Sequence, residues 1–472
     1  MPESKRVLVI GAGPAGLTAA YELVKSDYEV TVLEKDSQVG GISRTVNYRG
    51  YLFDLGGHRF FTKYPGVKKI WEEVLPGDFL IRPRLSRIYY RGKFFYYPLR
   101  PFNAFWNLGP FTSTLALLSY LKARIKPYPD PENFEQWVVN QFGRKLYEIF
   151  FKTYTEKVWG IPCTRISADW AAQRIKGLSL GKAVLNAFGL KGKETVRTLT
   201  DQFHYPRRGP GQFWEKMAEI IVRGGGRLIL RAEAVEIIRR PEGNFSVKIK
   251  TINSTEEMEA DIVISSMPLS ELILSLRPFP PDEVIKAARS LTYRDFYTAG
   301  IIINKERIFP DNWIYIHSPE IRAGRLQNFK NWSPELVPDP EKTMLGLEYF
   351  CFSTDPVWSL PDKELIQIAA DDLERLRFAR KEEIVDGSIV RIRGAYPVYS
   401  PGYKKNIGII KEFLDSIKNL QTIGRNGLHR YNNQDHSMMS AIYAVRKLHG
   451  QSCSPWDINA EDEYHEVEYH QR

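Results

Sequence analysis

Short runs of apolar residues bounded by glycine alternate along this chain with stretches in which apolar positions recur every three or four residues. The first kind predicts buried strands and the second predicts helices. Val7-Leu8-Val9-Ile10 is a continuous apolar run of the sort that forms a parallel strand covered on both faces. A helix is predicted over Leu17 to Lys25 and a second strand over Val30-Thr31-Val32-Leu33. Ala260 to Ser266 reads as a further buried strand, and the segment around Leu420 to Gly424 as another, followed by a polar loop and a helix from Gln434 to Leu448.

The middle of the chain has a different texture. Ile88 to Phe95 alternates as a β-hairpin turning at Arg91-Gly92-Lys93. From Asn133 the spacing is helical, with Phe134, Trp137, Val138, Phe142, Leu146, Ile149 and Phe150 at three- and four-residue intervals. Phe105 to Leu121 is the most apolar stretch, but Asn107, Gly109 and Pro110 interrupt it, so it falls short of the roughly 20 residues needed to cross a bilayer. It is expected to be a buried helix or helical hairpin, with interfacial docking on a membrane as the alternative. Near Phe203 the chain is expected to rejoin the first region through a basic glycine-proline loop, His204 to Gly211. A helix over Phe213 to Val222 and strands near Arg227–Leu230 and Phe245–Lys250 follow.

These elements predict an α/β protein. Residues 1–58, 203–298 and 392–450 form a discontinuous Rossmann-like domain. Residues 59–202 and 299–391 form an inserted, partly helical lobe with an antiparallel sheet. Residues 451–472 form an acidic tail, expected to be poorly ordered after Trp456 unless it docks on a basic face.

At 472 residues and 43% hydrophobic, the chain can bury more than one core. The formal charge of +10 favours anionic partners, yet no lysine-arginine run is long enough for a nucleic-acid arm. Cys163, Cys351 and Cys453 lie far apart without C-x-x-C spacing, so neither a metal site nor a disulfide framework is expected. No signal peptide is expected ahead of a strand that starts so early, and a cytoplasmic location fits both features.

The candidate chemistry begins where the first strand ends. Gly11, Gly13 and Gly16 have the G-x-G-x-x-G spacing, enclosing Pro14 and Ala15. The first glycine makes the tight turn, the second admits a pyrophosphate against the backbone, and the third lets helix and strand pack closely. Glu34, at the end of the second strand and beside Lys35, is placed to accept hydrogen bonds from a ribose. Gly40-Gly41-Ile42-Ser43-Arg44 supplies a second loop over the diphosphate, with Gly41 and Ser43 as contacts. Gly56-Gly57-His58 leaves room for a flat ring with a histidine beside it. Gly424, Arg425, Asn433 and Gln434 complete the cofactor candidates. The helix starting at Gln434 presents its positive end to a ring such as a reduced flavin.

The Gly-x-Gly with Glu34, the Gly40-Gly41 loop and the C-terminal strand-loop-helix resemble flavoproteins of the amine oxidase, protoporphyrinogen oxidase and carotene desaturase superfamily. Further segments are similar to the UDP-galactopyranose mutases, and to their longer, eukaryotic type. They are Asp54 to His58, Tyr97-Pro98, Asn133 to Trp137, Lys157 to Pro162, Trp170 to Arg174, Arg325 with Asn331 to Pro334, and Gly424 to His436. The resemblance implies FAD, active when reduced, with NADPH or NADH as candidate reductant. It implies attack by flavin N5 on the anomeric carbon of a nucleotide sugar and a change of ring size without net redox.

Arg174 and Arg325 match the two diphosphate-binding arginines and His58 the histidine beside the flavin, which makes these three the catalytic candidates. Tyr431, Tyr396 or Tyr399, and Asn433 match contacts to diphosphate or sugar. Trp313 and Tyr315 match positions near the sugar, and Trp159 is a further substrate contact. The longer enzymes read Tyr-Pro-Phe-Gln at the nucleobase, whereas this chain has Tyr97-Pro98-Leu99-Arg100. The base pocket therefore hydrogen-bonds differently, and another nucleoside-diphosphate hexose, including a deoxyhexose on thymidine diphosphate, stays open beside UDP-galactose.

Two other readings stand beside this one. The first is an FAD-dependent oxidase or desaturase acting on an apolar or amine substrate; such enzymes resemble one another in an acid after the glycine where this chain has Gly424-Arg425. The second is a non-catalytic flavin protein docking on a glycosyltransferase or a membrane, for which Phe105 to Leu121 is the support.

Overall fold

The computed structural model describes residues 4–168 and 202–459. At its centre is a parallel sheet of five strands in the order Leu420–Thr422, Ile262–Ser265, Lys5–Ile10, Tyr28–Glu34 and Arg227–Leu230. The apolar runs are continuous because each face of this sheet is covered by a different core. Val7 and Val9, with Val30, Val32, Ile262 and Ile264, pack under the helices Pro14–Leu23, Pro210–Arg223 and Gln434–Leu448. Leu8, Ile10 and Val263 point the other way, into a second core with Ile237, Val247, Leu272 and Ile410. Alternate residues of one strand thus serve opposite layers.

A four-stranded sheet covers that second face, in the order Thr255–Ala260, Phe245–Lys250, Glu233–Arg239 and Leu276–Arg277. The third sheet has seven strands: Ile384–Pro397, Tyr293–Ile303, Thr343–Cys351, Arg325–Asn328, Trp313–Ile316, Ser86–Tyr90 and Lys93–Tyr96. All its pairings are antiparallel except Trp313–Ile316 with Ser86–Tyr90. The fold is thus α/β, with a Rossmann-like parallel sheet joined to mixed and antiparallel sheets. Strands Tyr293–Ile303 and Ile384–Pro397 run through the boundaries expected near 298 and 391, so one continuous sheet connects the two regions. Gln202–Pro206 pairs with Phe79–Pro83 in a ribbon of its own instead of joining the parallel sheet.

The hairpin turns at Arg91 and Gly92, both at positive φ, 47° and 77°, as a tight two-residue turn requires. Asn133 caps the helix Phe134–Phe142 by accepting from the Gln136 N–H.

The expectation that Phe105 to Leu121 is buried is corrected. The segment forms two helices, Pro101–Leu108 and Pro110–Ile125, broken at Gly109. In the second helix only Ala116 and Ala123 are buried, and Gly143 lies close against the backbone of that helix, where an added Cβ would stand 2.6 Å from the Tyr120 nitrogen. The large apolar side chains face outward. No described helix is long and apolar enough to cross a membrane. At the C-terminal end, Trp456 and Ile458 are buried, and the Arg430 guanidinium donates to both their carbonyls, at 2.5 and 2.8 Å. The chain therefore stays packed as far as Asn459; the rest of the acidic tail lies outside the described residues.

Candidate functional site

A cavity of about 460 Å³ opens at the C-terminal ends of the parallel strands and reaches the seven-stranded sheet. Ile10, Gly11, Leu33 and Glu34 line one end, and Arg325, Tyr396 and Tyr431 the other. Ligands of open α/β sheets bind at this edge, because the strand-to-helix turns leave a crevice there.

The first end has the stereochemistry of a dinucleotide cradle. Gly11 sits at φ 96° and donates its N–H to the Leu33 carbonyl at 2.7 Å. A Cβ on Gly16 would lie 1.8 Å from the Gly11 oxygen, so this position packs behind the turn instead of lining the cavity. A Cβ on Gly13 would meet nothing closer than the Gly41 Cα at 3.8 Å, so the backbone faces open space. Gly13 is the N-cap of the helix Pro14–Leu23, no side chain caps that helix, and its first N–H groups are left for an anion. Glu34 accepts from the Ala12 N–H at 2.7 Å and the Asp36 N–H at 2.9 Å, which aims its carboxylate at the cavity. Burial raises its pKa, against those two bonds. The Gly40 N–H donates to the Ala12 carbonyl at 2.8 Å and ties the second glycine loop to the first. Arg44, paired with Asp36 at 2.5 Å, lies over it. Lys35, Gly41, Ser43, Pro14 and Ala15 all line this end.

Gly56 and Gly57 lie against the large sheet, where added Cβ atoms would stand 3.7 Å from a Glu348 oxygen and 3.4 Å from the Gln327 side-chain nitrogen. His58 follows. Burial, then Arg425 and Arg325, push its pKa down to about 3, so the imidazole is neutral. Its Nδ1 is buried without a partner among the described residues. Across the cavity, Gly424, Asn433 and Gln434 present the N-terminus of the helix Gln434–Leu448. The Trp214 indole and the Arg59 carbonyl fix the Gln434 amide at 3.2 and 3.4 Å.

The far end is cationic and aromatic. Arg325 and Glu348 stand directly opposite on adjacent antiparallel strands, and Arg325 Nη2 donates to Glu348 Oε2 at 2.5 Å and to Tyr396 Oη at 2.9 Å. Glu348 is fully buried and also accepts from Gln327 Nε2 at 2.9 Å. Burial alone lowers the guanidinium pKa, but Glu348, then Tyr396, outweigh it and the net shift is upward. Arg325 Nε is buried with no partner among the described residues. Tyr396 and Tyr431 stack at 5.6 Å, and the Arg425 guanidinium lies 4.7 Å from the Tyr431 ring. Trp159, buried, backs both tyrosines at 6.5 and 6.1 Å, and Tyr399 accepts the Tyr431 N–H at 2.7 Å.

Tyr97, Trp159, Trp313 and Tyr315 stand behind the lining residues as a second layer. Tyr97 packs 5.1 Å from Tyr315, and Trp313 stacks on Trp332 at 5.4 Å. Arg100 is not brought in: it is exposed, lies on the Tyr96 ring at 4.4 Å and occupies the position just ahead of the helix Pro101–Leu108. Arg174, with Trp170, lies outside the described residues.

The sequence reading missed several residues of the site. Glu348 is one; its signal was a lone acid within the apolar strand Thr343–Cys351. Others are Tyr154, stacked on His317 at 4.7 Å and 5.6 Å from Tyr315, and Arg393 and the Ser266-Met267-Pro268 turn, which line the cavity. Lys157 donates to the carbonyls of Ile316, Ser318, Ile321 and Ala323, between 2.9 and 3.3 Å, and anchors the helix Thr153–Trp159 beside the Arg325 strand. Burial lowers its pKa to about 8.

The family of flavin containing amine oxidoreductases matches residues 14–403. The chain belongs to that family. Members bind flavin, and the glycine cradle, the uncapped helix N-terminus and the unpartnered His58 Nδ1 fit FAD. An L-amino-acid oxidase of Crotalus adamanteus is 45% identical over 65 residues, 14% of this chain and 13% of the oxidase. A probable UDP-galactopyranose mutase of Klebsiella pneumoniae is 26% identical over 176 residues, 35% of this chain and 44% of that protein. The chain thus matches less than half the length of either relative. In three dimensions it is similar to a reduced UDP-galactopyranose mutase, with a TM-score of 0.83 at 22% identity, covering 97% of this chain and 98% of the other. A putative protoporphyrinogen oxidase from Exiguobacterium gives 0.72 at 18% identity, covering 94% and 98%. At such identities the likeness establishes the fold that this flavin oxidoreductase family member shares with them.

Proposed function

We propose that this protein is a flavin-dependent mutase that interconverts the pyranose and furanose forms of a nucleoside-diphosphate hexose similar to UDP-galactose. One observation carries the reading. Arg325, mostly buried and held charged by Glu348, lines the cavity that begins at the nucleotide cradle, and Arg425 lines it as well. Two guanidinium groups on one cavity wall are wasteful for an apolar or amine substrate and apt for a pyrophosphate, whose oxygens match their planar forks.

FAD would be held by Gly11, Gly13, Glu34, Gly41, Gly56, Gly57, Gly424 and Gln434, and when reduced it supplies a nucleophilic ring nitrogen. The chain's own residues do the rest. Arg325 and Arg425 stabilise the negative charge that grows on the diphosphate as it leaves the anomeric carbon, and keep it for reattachment. Arg174 is the further arginine that the resemblance assigns to this task. Tyr396 and Tyr431 orient the diphosphate, and Trp159 and Tyr154 wall off water. Neutral His58 offers a hydrogen bond without adding charge beside the ring. Because no net redox occurs, NADPH or NADH serves only to prime the enzyme.

The test uses FAD-loaded protein, reduced anaerobically with dithionite and incubated with UDP-galactopyranose, UDP-galactofuranose and thymidine-diphosphate hexoses. The proposal requires ring-size isomers on chromatography without stoichiometric peroxide. Peroxide release with an amine or apolar substrate, and no isomer from any nucleotide sugar, would instead establish the oxidase reading that the family name favours.

A further inference from the structure

We propose that the hairpin of helices Pro101–Leu108 and Pro110–Ile125 docks the protein on an anionic lipid surface. The hairpin turns its large apolar side chains outward: Trp106 is 76%, Phe111 77%, Leu118 56% and Ile125 85% exposed. Phe111, Leu118 and Ile125 recur seven residues apart along one side of the second helix, with Leu117 and Leu121 beside them, so they form a continuous patch. Monomeric proteins seldom leave such a patch bare.

Charge names the occupant. From Phe79 to Pro129 the sequence contains no aspartate or glutamate. Exposed cations stand at both ends of the hairpin, Arg100 ahead of its first helix and Lys122, Arg124 and Lys126 at the end of its second, and exposed Arg91 and Lys93 lie on the β-hairpin that leads into it. Lys93 is fastened to the hairpin itself, its Nζ donating to the Asn107 carbonyl at 2.6 Å. An outward-facing tryptophan and phenylalanine rimmed by lysine and arginine suits the boundary between acyl chains and anionic headgroups. Two copies of a patch bordered by these cations would repel where the cations meet. The second helix has 16 residues, about 24 Å at 1.5 Å per residue, and is interrupted at Gly109, so the hairpin lies on a bilayer and does not span it. The strand Lys93–Tyr96 belongs to the sheet that carries Arg325 and leads through Tyr97 into the hairpin, so docking brings the edge of that sheet to the membrane.

The experiment is vesicle flotation of the FAD-loaded full chain. Vesicles of phosphatidylcholine alone are compared with vesicles containing phosphatidylglycerol. We expect flotation with the anionic vesicles only, weakening as salt rises. The triple variant Trp106→Ser, Phe111→Ser, Ile125→Ser should stay at the bottom while keeping its flavin absorbance and melting temperature. Lys122→Glu, Arg124→Glu, Lys126→Glu should weaken binding by roughly a hundredfold, at about fivefold per basic residue beside such a surface. No flotation with either vesicle, or equal flotation with both, would overturn the proposal. So would an apolar triple variant that floats as before yet dissociates an oligomer, since the patch would then be covered by a second copy.

Discussion

Arg325 and Glu348 are a buried ion pair with a free edge, which separates their two contributions. Removing the carboxylate leaves an uncompensated charge, so Glu348→Ala should cost about 3–5 kcal/mol of stability, read as a large fall in melting temperature. Removing the cation takes away a group that lines the cavity. Arg325→Ala should therefore show its main loss in kcat/KM, roughly 2–5 kcal/mol if the guanidinium grips a desolvated diphosphate; unchanged kinetics would take Arg325 out of the site. His58 adds a pH dependence. Burial, then Arg425 and Arg325, hold its folded pKa at about 3 against an ordinary 6.5, so between those values the unfolded chain binds more protons. Stability is then intact above about pH 6.5 and is lost as pH falls toward 3. Relative to wild type, His58→Gln should lose less stability between pH 7 and pH 4 in urea melts. Buried His317 and His429, with pKa values lowered to about 3 and about 4, leave a residual acid sensitivity.

The glycine turn joins sequence, geometry and cofactor most tightly. Gly13 has space in the protein for a methyl group but none to spare if a pyrophosphate lies there, whereas at Gly16 the obstacle is the chain's own carbonyl. Gly13→Ala should fold with a near-normal melting temperature and purify colourless, while Gly16→Ala should lose several-fold in soluble yield with or without added FAD. This turn and its strands were legible because strands buried on both faces read as unbroken apolar runs. Strands Glu233–Arg239 and Thr255–Ala260 were not, since their exposed positions carry charges that mask the alternation. The segment from Phe105 to Leu121 misled for the opposite reason: apolar side chains read alike whether they face a core or the outside. Glu348 escaped notice because its partner is across a strand pair, a relation that depends on register.

The cavity lies where a parallel sheet and a seven-stranded sheet meet, and the long strands Tyr293–Ile303 and Ile384–Pro397 hold the second sheet against the first. The cradle half was readable from spacing, because a local turn supplies it. The cationic half draws on segments scattered from Trp159 to Tyr431, and only the resemblance brought them together beforehand. That resemblance placed Arg325, Tyr396 and Tyr431 at the cavity but also Arg100, which the helix Pro101–Leu108 carries to the surface. The central claim is that a flavin bound by the cradle shares this cavity with a diphosphate. Titrating the oxidised holoprotein with UDP and with thymidine diphosphate, while following the flavin absorbance, tests it most directly. A saturable spectral shift that weakens at high salt and disappears in Arg325→Ala is the result predicted. A flavin spectrum indifferent to both diphosphates but perturbed by an amine or an apolar ligand would contradict it.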